Sequence, residues 1–108
     1  MATNWDNKKT ESLLEAVLTL KDLDEAKMFF RDLLTPAELD EFGNRFMAAQ
    51  MLEQKIPYTM IAKQTGLSST TIARIAKWLK KGKGGYQLVI ARATKHHHNS
   101  LLVEKGLS

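Results

Sequence analysis

The 108-residue sequence has no cysteine, only two prolines and almost no acid in its second half. Each shortage excludes something. Without cysteine there is no disulfide framework, thiolate zinc site, iron–sulfur cluster or cysteine nucleophile, and the chain suits a reducing cytoplasm. No stretch approaches the roughly 20 apolar residues that cross a bilayer. The opening Met1-Ala2-Thr3-Asn4-Trp5-Asp6 lacks the basic-then-apolar order of a secretory signal, so a cytoplasmic chain with no membrane partner is expected. Strand signals are equally scarce, because the one β-branched cluster, Leu88-Val89-Ile90, is too short to stand alone. There is no internal repeat and no low-complexity tract. The length suits one domain, since domains most often run to roughly 100–150 residues. A chain this short buries only about two-thirds of its unfolded surface, which makes oligomerisation a reasonable route to stability.

The shortage of acid is the most informative. The net charge of +4 conceals two opposite halves. Residues 1–54 hold six Lys or Arg against eleven Asp or Glu, a net of −5. Residues 55–108 hold ten Lys or Arg against Glu104 alone, a net of +9. Such asymmetry implies a basic surface for a polyanion and a different task for the acidic half.

What is present reads as helix nearly throughout, an all-α chain of about six helices. Thr10 to Leu20 sets Leu13, Leu14, Val17, Leu18 and Leu20 at helical spacing. Asp22 or Asp24 can cap a second helix carrying Ala26, Met28, Phe29, Phe30, Leu33 and Leu34. The third start is the clearest. Thr35-Pro36-Ala37-Glu38 offers a capping Thr, a Pro at the first helical position and a Glu that can reach back to the cap. The helix that follows, ending near Lys55, is apolar on most of its circumference and so calls for partners on several sides. Two shorter helices are expected after Pro57, at about 58–65 and 69–80. A basic, glycine-rich link leads from them to a last short helix near 86–93, and a polar tail covers 94–108.

Tyr58 to Lys77 reads as a helix-turn-helix unit. Ala62 falls where two helices would cross, Gly66 at the turn, and Ile61, Leu67, Ile72 and Ile75 at inward positions. Ser68 or Ser69 can cap the second helix, whose N-terminal dipole favours a phosphate. Its outward face is Ser69, Thr70, Ala73, Arg74 and Lys77: short groups near the start for base edges, Arg74 for a guanine, Lys77 for a phosphate. Tyr58, Thr59, Lys63 and Ser68 complete the expected double-stranded DNA-binding set, with Lys80, Lys81 and Lys83 flanking it.

Other constellations carry little. Three consecutive histidines, His96, His97 and His98, cannot all face one point on a regular element, so no metal site is expected there. Asp22, Asp24 and Glu25 lack the rest of a calcium loop. The phenylalanines read as core. Nothing resembles a catalytic triad, a phosphate-cradling glycine loop or a paired-carboxylate cleft, so no enzyme activity and no cofactor are expected.

Leu34-Thr35-Pro36-Ala37-Glu38, then Gly43-Asn44-Arg45, then Gly66 through Ile72-Ala73-Arg74 resembles the tryptophan repressor family. The Gly84-Gly85-Tyr86 that follows is similar to its tryptophan-repressor-related branch, YerC/YecD-type. The resemblance covers roughly residues 30–92. It implies a single domain over 1–108 that forms an intertwined homodimer. Helices over about 10–55 would form the dimer core, and 58–80 the helix-turn-helix heads that face successive major grooves of a palindromic operator. It also implies a ligand pocket at Thr35, Arg45, Arg74, Ile75 and Trp78, the two arginines matching those that sandwich the indole in the family. Two positions depart from the pattern. Ile75 replaces a glycine and Trp78 a serine, each adding bulk where the ligand needs room, so L-tryptophan is not expected as a partner. Arg74 is open between pocket and DNA. Two further readings stay beside the regulator: an interaction module for RNA or an acidic protein with a structural helix pair, and a sensor of another small molecule.

Overall fold

A computed structural model describes residues 4–93, all in helices and their connections. The helices are α1 (Lys8–Val17), α2 (Leu23–Leu33), α3 (Pro36–Glu53), α4 (Tyr58–Thr65), α5 (Ser69–Lys81) and α6, described over residues 85–93. The polar tail expected over 94–108, with His96, His97 and His98, lies outside the described residues.

Local chemistry accounts for most of the boundaries. The first helix starts at Lys8 rather than Thr10 because the Asn7 side chain accepts the Thr10 N–H at 3.1 Å, so the cap sits three residues upstream. It also stops earlier, at Val17. Asp22 caps α2 by accepting the Glu25 N–H at 2.9 Å. The capping box at α3 forms in both directions. The Thr35 hydroxyl accepts the Glu38 N–H at 3.1 Å, and the Glu38 carboxylate accepts the Thr35 N–H at 2.9 Å. Hydrogen bonding to the carboxylate by the Thr35 backbone N–H first, and by the Thr35 side-chain hydroxyl second, holds the Glu38 carboxyl below the usual carboxylate range. The end of α3 is a Schellman turn in which Ile56 N–H reaches Met51 O and Lys55 N–H reaches Leu52 O, each at 3.0 Å. Lys55 takes the left-handed conformation there, with φ 65°.

The chain divides into two compact units, one up to Leu39 and one from Asp40 on, the division falling in the first turn of α3. Among the described residues the first unit has none that is fully buried. Neither α1 nor α2 contains a fully buried residue, although Phe29 and Phe30 meet edge to face with centroids 5.5 Å apart. Leu18 is 83% exposed, Leu23 69% and Met28 68%.

The second unit holds the core. Ala48 and Ala49 of α3, Ile61 of α4, Ile72, Ile75 and Leu79 of α5, and Ile90 of α6 are buried together. Ile61 and Ile72 are the largest completely buried side chains, each contributing roughly 1.5–3 kcal/mol relative to exposure. Two alanines on α3 let neighbouring helices approach its backbone closely. A side-chain bond fastens α6 to α5, with the Gln87 amide donating to Leu79 O at 2.8 Å. That bond satisfies one of the carbonyls left open at a helix C-terminus.

Candidate nucleic-acid interface

The turn between α4 and α5 is built from five hydrogen bonds. Gly66 ends α4 at φ 74°, and its N–H reaches Ala62 O at 2.8 Å. Only glycine adopts that conformation without a Cβ penalty. Ser68 then caps α5, its hydroxyl oxygen accepting the Thr71 N–H at 3.1 Å while its proton goes to the Thr71 hydroxyl at 3.0 Å. Directly before the glycine stands Thr65, only 6% exposed. Its hydroxyl donates to Ile61 O at 2.7 Å and accepts the Leu67 N–H at 3.2 Å. One side chain therefore closes the last turn of α4 and fixes the first residue after the glycine. Sequence reasoning missed it. A buried threonine directly before the turn glycine, where an apolar residue would otherwise pack, was the available signal.

Burial separates α5 into two faces. Ile72, Ile75 and Leu79 point into the core, with Leu67 and Ala62 partly buried beside it. Ser69, Thr70, Ala73, Arg74 and Lys77 are all exposed, as are Tyr58, Thr59 and Lys63 of α4 and the capping Ser68. No Asp or Glu occurs from Tyr58 to Lys81, so Lys63, Arg74, Lys77, Lys80 and Lys81 project positive charge with no acid on either helix. Among the described residues the one ion pair is elsewhere, Arg45 to Glu41 at 3.2 Å. An uncompensated cationic face with short polar groups at a helix start has the chemistry of phosphate and base-edge contact.

The resemblance implies a ligand pocket at Thr35, Arg45, Arg74, Ile75 and Trp78, and the chain holds each of these side chains as follows. The Thr35 hydroxyl is committed to capping α3. Arg45 pairs with Glu41 and lies over the Phe42 ring, 5.8 Å from its centroid. Ile75 is in the core, 3% exposed, and Arg74 is exposed. Trp78 is 53% exposed and lines an apolar hollow of about 410 Å³ with Phe46, Tyr86 and Val89, whose lining includes neither arginine. Among the described residues no group of three His, Asp or Glu is placed to hold a metal, and no helix is long and apolar enough to cross a membrane.

Comparison with known proteins places this geometry. Residues 8–94 match the family model described as Trp repressor protein. The uncharacterized protein YerC of Bacillus subtilis (strain 168) is 35% identical over 85 residues, covering 79% of this chain and 82% of YerC. A TrpR-like protein from Eubacterium eligens has a solved structure that superposes with a TM-score of 0.78 at 40% identity, covering 83% of this chain and 93% of that one. A candidate Trp repressor from Staphylococcus aureus superposes equally well, at 0.78, with 28% identity and coverage of 86% and 96%. Six helices, the Gly66 turn and these matches agree: the chain belongs to the Trp repressor family, a family of DNA-binding regulators.

Proposed function

We propose that this protein is a cytoplasmic transcription regulator that binds DNA as a homodimer and represses from a palindromic operator, without using tryptophan. The observation that carries the reading is the two-faced α5. Its inward row is locked in the core by Ile72, Ile75 and Leu79, while Ser69, Thr70, Ala73, Arg74 and Lys77 stand exposed on a helix pair that has no acid. A rigidly held helix with such a face reads base edges through its first residues and phosphates through its later cations. Dimerisation is supported by the first unit, where Leu18, Leu23 and Met28 are exposed and neither α1 nor α2 has a fully buried residue. Independence from tryptophan rests on Ile75 and Trp78, which bring bulk to positions where the family has a glycine and a serine.

Selection of bound sequences from a random duplex library tests the reading. A pseudo-palindromic consensus with half-sites about one helical turn apart is the expected result. Equal affinity for selected and random duplexes would defeat it. On a selected duplex, Lys77→Ala weakens all sequences alike and reduces the salt slope by about 0.9, as for one lost phosphate contact. Thr70→Ala instead changes which base is preferred at one position of each half-site. Titration calorimetry with L-tryptophan checks the last clause, and micromolar binding would overturn it.

A further inference from the structure

On the flank of α5 away from Trp78 lies a cleft of about 320 Å³, walled by the end of α3, the connection 55–57, the start of α4 and the C-terminal half of α5. Its floor is apolar, made by Leu52, Ile56, Ala76 and Leu79. Its rim carries Lys55, Tyr58 and Lys80. No carboxylate lines it, and among the described residues neither lysine is in an ion pair. The volume lies near the lower end of the range for small-molecule sites, roughly 300–1,000 Å³.

Lys55 adds a second observation. It is the one non-glycine residue with positive φ among the described residues. In the Schellman turn that ends α3, its position is the one where glycine is unstrained and a residue with a Cβ is not. An ammonium therefore stands at the rim on a residue that the backbone alone would exchange for glycine. Two ammonium groups and a phenol above an apolar floor match an anion with a hydrophobic body. A bare phosphate would leave the floor without a partner, and a neutral apolar molecule would leave both cations unpaired.

We propose that this cleft binds a small organic carboxylate, its apolar body against Leu52, Ile56, Ala76 and Leu79 and its charge paired with Lys55 and Lys80. The occupant touches the end of α3 and the C-terminal half of α5 together, and so bears on how firmly the outward face of α5 is held. The site shares no residue with the arginine pair or with Trp78.

Phenylacetate and its uncharged analogue phenylacetamide are the probes, titrated into the full-length protein and followed by heteronuclear NMR. Phenylacetate is expected to move the resonances of Leu52, Ile56, Ala76 and Leu79 as a group, and the amide to bind about tenfold more weakly, as for loss of one charge-assisted hydrogen bond. Lys55→Gly keeps the left-handed turn and removes the ammonium, so it should match the wild type in melting temperature or exceed it while losing about tenfold in affinity for phenylacetate. Lys80→Gln, at an exposed position, provides an independent variant with the same expected direction. Equal binding of acid and amide overturns the proposal, as does unchanged affinity in both variants. Shifts confined to the Trp78 hollow would overturn it too. So would a cleft that answers only to duplex DNA or inorganic phosphate, since that would make its lysines backbone contacts.

Discussion

Thr65 shows how much one hydroxyl can do at the residue scale. It is buried, hydrogen-bonded on both sides of the oxygen, and its two partners belong to α4 and to the turn. Thr65→Val preserves shape and removes both bonds, leaving the Leu67 N–H without its partner. A buried group left unsatisfied costs about 1–3 kcal/mol. Denaturant unfolding should register that loss, and operator affinity should fall further than stability alone explains, because Leu67 leads directly to the Ser68 cap. Thr65→Ser should restore most of both, and failure of serine to do so would assign the effect to the methyl group instead. Glu38 makes a second prediction at this scale. Its carboxyl is held below the ordinary range by the Thr35 N–H and hydroxyl, so the ionised form is the one the folded state favours. That contribution is complete above the carboxyl's unfolded value and disappears as pH falls through the lowered folded value. Glu38→Gln keeps an acceptor for the Thr35 N–H but cannot titrate. Comparing melting curves of the two proteins between neutral and acid pH should show the wild type losing its advantage on the acid side, and parallel curves would refute the assignment.

Individual elements differ in how openly the sequence announces them. The capping box at Thr35 and Glu38, the cap at Ser68 and the glycine at 66 are local devices whose partners lie within four residues, so residue type and spacing sufficed to find them. The inward positions Ile61, Ile72 and Ile75 were legible for the same reason, because helical periodicity converts directly into burial. Lys55 was not, since nothing in a lysine signals a left-handed turn; only the end of α3 imposes it. Nor was Gln87, whose partner Leu79 is eight residues away across a break in the helix. Ile75 is one of the inward positions as well as the place where the resemblance implies added bulk, and its side chain lies in the core. The two structural glycines illustrate the same division. Gly66 has open space around its missing Cβ and needs only its positive φ, so Gly66→Ala should cost about 1–2 kcal/mol through backbone strain. Gly82 has ordinary φ, but an added Cβ would collide with the Trp78 carbonyl oxygen of the preceding turn. A backbone atom cannot swing aside as a side chain can, so Gly82→Ala should cost more than Gly66→Ala and should disturb the approach of α6. Chemical denaturation of the pair decides the order, and a cheaper Gly82→Ala would mean that the 82–84 link gives way easily.

For the whole molecule the deciding quantity is apolar surface without a core to receive it. One unit gathers seven buried hydrophobic residues from four helices, whereas α1 and α2 have none. Fully burying a leucine or methionine is worth roughly 1.5–3 kcal/mol, so Leu18, Leu23 and Met28 represent several kcal/mol that the isolated chain leaves in water. The acidic charge of this half, −5 over residues 1–54, would keep it from DNA while the +9 half is drawn to it, in keeping with a protein-facing role for the first and a DNA-facing role for the second. A second copy of the chain would convert the exposed leucines into core, and folding would then be linked to association. Stability of a dimer depends on protomer concentration, so melting at about 1 µM and about 100 µM should differ by the equivalent of about 2.7 kcal/mol. Leu18→Glu places a charge on the most exposed of these leucines, where a monomer would accept it with a change within about 0.5 kcal/mol. In a dimer core the same charge should abolish the concentration dependence, shift sedimentation to the protomer mass and remove operator binding without touching any residue of α4 or α5. A variant that sediments and melts as the wild type does would show that Leu18 faces water in the working protein and that the first unit is not the dimer core.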